Sequence, residues 1–149
     1  MIPVFQKIID PGRGDCWRAC ICSILELPID SVPNFVGEAH DNPRANHLQL
    51  ASNWLKDRGL CMIDVNLKGD REWFYVLDWT LIKGAYAIGT VPSQKNKGGW
   101  HAVVIHWTEK GSGVCLEIVH DPREDNQPYP EDTKFRRIQF IAPLIPKIA

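Results

Sequence analysis

Three residues in this sequence have the types and the order that nucleophilic attack on a carbonyl requires. Cys16 stands in Gly14-Asp15-Cys16-Trp17, after a Pro/Gly turn cluster over 10–15 and at the head of an apolar-periodic stretch. A cysteine that opens a helix feels unpaired N–H groups and the positive end of the dipole, which favour the nucleophilic thiolate. His101 stands in Gly98-Gly99-Trp100-His101-Ala102-Val103-Val104, at the start of an apolar strand after a polar loop. A histidine held there can take a proton from a thiol and return it to a leaving group. Asp121, in His120-Asp121-Pro122, ends the next strand; a carboxylate there orients an imidazole and stabilises its charged form. Each residue alone has an ordinary reading: a buried helix cysteine, a core histidine, an Asp-Pro turn. Their order is what gives them joint meaning.

Periodicity places these residues on regular elements. Asp15 serves as N-cap of a helix whose Trp17, Cys20, Ile21, Ile24 and Leu25 share one face, and Pro28 stops it. Residues 1–6 read as a short strand or extended arm, 30–33 as one helical turn and 34–44 as loop. Asn46 caps a second helix with His47, Leu50, Ala51, Trp54 and Leu55 on its buried stripe and Gly59 at its end. Strands are predicted over 61–67, 85–91, 100–107, 114–120 and 135–141, with 70–77 ambiguous and 121–133 a long loop. The strands over 100–107 and 114–120 form a hairpin, which sets Asp121 beside His101. His120 alternates away and ranks below Asp121. Helices first and an antiparallel sheet after make an α+β fold, with the helices on one side of the sheet.

Asp15-Cys16-Trp17-Arg18-Ala19-Cys20, then Trp100-His101-Ala102-Val103-Val104, then Val119-His120-Asp121-Pro122, resemble the papain-like cysteine peptidase superfamily. Within it the chain looks most like the small bacteriocin-processing (double-glycine leader) peptidase domains, and like short proteins of phage and prophage genomes. The likeness runs from Gln6 to about Pro122. It implies a single papain-like domain over 1–149, with Cys16 as nucleophile, His101 as base and Asp121 as orienting acid. It also implies an oxyanion-binding Gln. The family keeps that Gln a few residues before its Cys, whereas Gln6 lies ten positions upstream here, beyond Asp10-Pro11-Gly12-Arg13-Gly14. A second departure is Trp17-Arg18, where the peptidase domains often have Gly and a small residue.

The expectation is a cysteine-dependent hydrolase working through an acyl-enzyme on a peptide, isopeptide or side-chain amide bond, a glycine-rich tail included. Residues 34–47 and the loop 93–99 flank its cleft, and Trp17, Gly99 and Trp100 contact substrate. The alternative is an inactive binding protein on the same fold, a phage accessory protein acting on a host factor. No cofactor or metal is expected: Cys16, Cys20 and Cys22 lack zinc-knuckle spacing, and His40, Asp41 and His47 read as solvated loop and cap residues. The Gly12-Arg13-Gly14 turn lacks a phosphate-loop ending. A net charge of −1 argues against nonspecific nucleic-acid binding. No apolar run suits a signal peptide or a membrane span, and five cysteines cannot all pair, so the default is a reducing cytoplasm.

Overall fold

A computed structural model describes residues 1–66, 85–110 and 113–144. The ambiguous segment over 70–77 lies outside the described residues. Helix α1 spans Cys16–Leu25, a 3₁₀ turn covers Ile29–Ser31, and helices α2 and α3 span Phe35–Asp41 and His47–Lys56. Among the described residues five strands follow: β1 Leu60–Asn66, β2 Tyr86–Pro92, β3 Trp100–Lys110, β4 Gly113–His120 and β5 Arg137–Pro143. They form one sheet in the order β1-β5-β2-β3-β4, every pair antiparallel. The α+β class is therefore as expected.

Helix α1 forms where the apolar spacing placed it. It buries more than one stripe: Trp17, Ala19, Cys20, Ile21, Cys22 and Ser23 are all buried. It ends at Glu26, whose left-handed φ of 57° closes the last turn before Pro28. Asn46 caps α3 as expected, its Oδ1 accepting from the Leu48 and Gln49 N–H groups.

The expected loop over 34–44 is instead mostly α2. Asn34 Oδ1 accepts from the Gly37 N–H and starts the helix. Phe35 then buries itself between Trp17 and Trp54, with ring centroids 6.2 and 6.1 Å away. So short a helix is marginal in isolation, and tertiary burial of its first residue is what stabilises it.

The sheet carries apolar residues on both faces. On one, Ile88, Ala102 and Val104 pack with α1 and with Phe35 and Ala51 of the other helices. On the other, Ala87, Val91, Val103, Ile105, Ile138 and Phe140 pack with Tyr129 and Phe135 from the connection before β5. Phe135 lies so close to β2 that a Cβ on Gly89 would meet its ring at 2.7 Å. Among the described residues no helix is long and apolar enough to cross a membrane.

Candidate active site

The β3–β4 hairpin pairs Val104 with His120, and Asp121 follows directly. His101 Nε2 lies 2.6 Å from Asp121 Oδ1. That contact leaves Nδ1 as the second ring nitrogen, and Cys16 lines the same cleft as His101. Burial pushes the His101 imidazolium down; the hydrogen bonds to Asp121 and Cys16, and their negative charges, raise it to about 9 against that. Burial likewise pushes the Asp121 carboxyl up, but bonds from His101, the Asn126 side chain and the Arg123 N–H hold it below its usual value. Asn126 Nδ2 donates to Asp121 Oδ2 at 2.9 Å and Arg123 N to Oδ1 at 2.9 Å. The carboxylate that orients His101 is thereby fixed by the turn after β4.

Cys16 is the first residue of α1 and is partly exposed. Asp15 occupies the N-cap position, but the expectation that its carboxylate caps α1 is corrected: it makes no cap hydrogen bond. The carboxylate is fully buried and points back towards the N-terminal arm, where Oδ1 accepts from the Lys7 and Ile8 N–H groups at 3.0 and 2.8 Å. Arg18 supports it from the side at 3.5 Å. Two backbone donors on a buried carboxylate outcompete one helix amide. The first-turn amides next to Cys16 are thus left without a side-chain cap, as an oxyanion site needs.

The same reversal resolves the distance of Gln6 in sequence. Asp15 N donates to Ile8 O at 3.2 Å, so residues 8–15 form a loop pinched at its base. Inside it, Asp10 Oδ1 accepts from the Gly12 and Arg13 N–H groups. A Cβ on Gly14 would meet the Asp10 carbonyl oxygen at 2.7 Å, so only glycine lets the loop return so tightly. Gln6 is brought back to the site, where its N–H donates to Pro122 O at 3.0 Å beside Asp121. Its Nε2 donates one hydrogen to Ile8 O at 3.2 Å and keeps a second. Its Oε1 is buried without a partner.

Cys16, His101, Gln6, Trp17 and Trp100 line one cleft of about 370 Å³, within the usual size of ligand pockets. Trp17 is mostly a core residue whose Nε1 donates to Gln139 Oε1 at 2.7 Å. Trp100 is 48% exposed. Gly99 shapes the loop behind it, donating to Asn96 O and accepting from Ser93 N. His120 turns away, as expected, and its Nε2 contacts Val4 O at 2.8 Å, tethering the N-terminal arm. Residues 1–6 are that arm rather than a strand.

Sequence reasoning missed several lining residues. His47, expected on the helix stripe and at the end of the cleft-flanking region but given no role there, enters the cleft edge-on to Trp17 at 5.5 Å. Burial and the nearby Arg137 push its pKa down, and Asp64 opposes them. Thr90, Arg123, Arg136, Arg137 and Gln139 also line the cleft; nothing local marks them. His40 and Asp41 end α2, where Asp41 pairs with Arg13 at 2.6 Å. Among the described residues no group of three or more His, Cys, Asp or Glu side groups is arranged to hold a metal ion. All five cysteines are free; burial raises Cys22 to about 11 and Cys20 well above the usual thiol range, so both are poor nucleophiles. No family model, curated protein or solved structure matches the sequence.

Proposed function

We propose that the protein is a cysteine-dependent hydrolase of papain-like architecture, acting on a peptide, isopeptide or side-chain amide bond. One observation carries the reading: His101 Nε2 lies 2.6 Å from Asp121 in the cleft that Cys16 also lines, and these two neighbours raise the His101 pKa to about 9. In this reading the Cys16 thiol passes its proton to the His101 ring and attacks as the thiolate.

The thiolate of Cys16 attacks the carbonyl carbon, and the carbonyl electron pair moves to oxygen. The free hydrogen of Gln6 Nε2 and the Cys16 N–H meet that oxyanion. The tetrahedral adduct collapses, His101 gives its proton to the departing nitrogen, and an amine leaves with Cys16 acylated. Water then attacks the thioester while neutral His101 takes its proton. The acid leaves, and the thiolate–imidazolium pair is restored. Asp121 keeps its negative charge throughout and holds the ring. A cytoplasmic setting and a phage or prophage origin belong to the same proposal.

The test is the alkylation rate of Cys16 against pH, read by mass spectrometry for wild type and His101→Ala. The expected result is fast reaction below pH 7, well ahead of the other four cysteines, lost in His101→Ala. Ordinary thiol behaviour in wild type, with a midpoint near roughly 8.5, would mean a binding scaffold instead. Cys16→Ala is expected to fold normally and to abolish turnover.

A further inference from the structure

The cleft that holds Cys16 is rich in guanidinium groups. Arg123, Arg136 and Arg137 line it, and among the described residues Asp10 is its only lining acid. The Asp10 carboxylate is already engaged by the N–H groups of Gly12 and Arg13 in its own turn. Two of the arginines are also engaged: Arg123 Nε meets Asp125 at 2.7 Å, and Arg137 Nε meets Asp64 at 3.3 Å. Arg136 differs. Its guanidinium lies 4.7 Å over the centroid of the exposed Trp100 ring, and among the described residues it forms no ion pair. The ring contact holds the guanidinium at the cleft, and among the described residues no side-chain hydrogen bond occupies its N–H fork, the group that receives an oxyanion with two parallel hydrogen bonds.

Register gives the distance from the chemistry. Thr90 of β2 is the direct partner of Ala102 in β3 and of Arg137 in β5. Ala102 follows His101. Two strand spacings therefore put the Arg137 backbone about 10 Å from the catalytic strand, about three residues of extended peptide. Arg136 is tied to the same row, its N–H donating to Thr90 O at 2.9 Å.

From this we infer, on the strength of the hydrolase reading, that the substrate carries a carboxylate within about three residues of the bond cleaved, and that Arg136 binds it with Arg137 beside it. That carboxylate belongs either to an Asp or Glu residue or to the free C-terminus of a peptide. Arg136 and Arg137 are specificity residues; neither is needed to form the thiolate.

Alkylation with two reagents of like size tests the proposal without a substrate. Iodoacetyl-Gly-Gly sets a free carboxylate about three residue lengths from the reacting carbon, and its C-terminal amide does not. The rate ratio of the two at Cys16, taken within each variant, isolates the attraction of the cleft for the anion from the reactivity of the thiolate. Arg136→Gln is expected to lower the ratio by about threefold or more, Arg137→Gln by less, and Arg136→Lys to recover part of it. Lys56→Gln, an exposed charge at the opposite end of α3 from His47, is expected to leave it unchanged. Added salt should lower the wild-type ratio, because exposed charges are screened. A ratio indifferent to both arginine substitutions, with the amidated reagent still fast, overturns the carboxylate site and leaves the hydrolase reading standing. Slow reaction with both reagents overturns the hydrolase reading and the carboxylate site with it. Paired fluorogenic peptides then name the source: Glu against Gln near the cleaved bond, and free against amidated C-terminus. Preference for the acid in one pair identifies it, and preference in neither overturns the proposal.

Discussion

Replacing Asp121 with Asn removes a charge from the relay while keeping an oxygen that can accept from His101 Nε2. The structure sets the size of the effect. His101 stands at about 9 against an ordinary 6.5, and a difference of that size corresponds to about 3 kcal/mol in favour of the imidazolium. The Asp121 hydrogen bond is the strongest of the influences that raise it, followed by Cys16, with burial opposing both. Loss of the carboxylate is therefore expected to lower the His101 midpoint by about one pH unit or more, and turnover by about tenfold to 100-fold at neutral pH. NMR titration of the His101 ring reads the midpoint directly and needs no substrate. Stability follows from linkage. The folded value lies above the unfolded one, so the stabilisation is complete below about pH 6.5 and is lost as pH rises through about 9. The melting gap between wild type and Asp121→Asn should thus be widest near about pH 6 and should shrink by about pH 10. A wild-type His101 that titrates near 6.5, or a midpoint that Asp121→Asn does not move, would overturn this account of the relay.

Two further substitutions separate catalysis from architecture. Gln6→Ala removes a side-chain donor from the proposed oxyanion site but no buried hydrogen bond that the fold needs. It should cut kcat by about 100-fold to 1,000-fold with little change in thermal midpoint, and comparable losses in both would show the role to be structural. Asp15→Ala should do the reverse in order of severity. It strands the buried N–H groups of Lys7 and Ile8, costing about 2–4 kcal/mol in denaturant unfolding and exposing residues 1–14 to limited proteolysis; activity falls with it because Gln6 rides on that arm.

Helix α1, with Cys16 at its head, and the β3–β4 hairpin, with His101 and Asp121 at neighbouring ends, were legible in the sequence. Both depend on spacing that repeats within a few residues, about 3.6 for a helix and about 2 for a strand, and on a connection short enough to fix the pairing. Helix α2 was not legible, because Pro33 precedes it, Gly37 interrupts it, and its stability comes from Phe35 seated between Trp17 and Trp54. Nor was the return of Gln6, since Asp15 could have capped its own helix and instead holds the arm.

The order of amino acids thus reveals which groups are chemically able to act and on which local elements they ride. What surrounds them is a matter of packing. Strand β5, last in sequence, enters the sheet between β1 and β2, and this single placement carries Arg136, Arg137 and Gln139 into the cleft beside a cysteine more than a hundred residues earlier. No local pattern encodes that neighbourhood. It is chosen by the burial of whole faces, Ile138 and Phe140 on one side of the sheet and Gln139 against Trp17 on the other, and such burial becomes defined only when all the elements pack together.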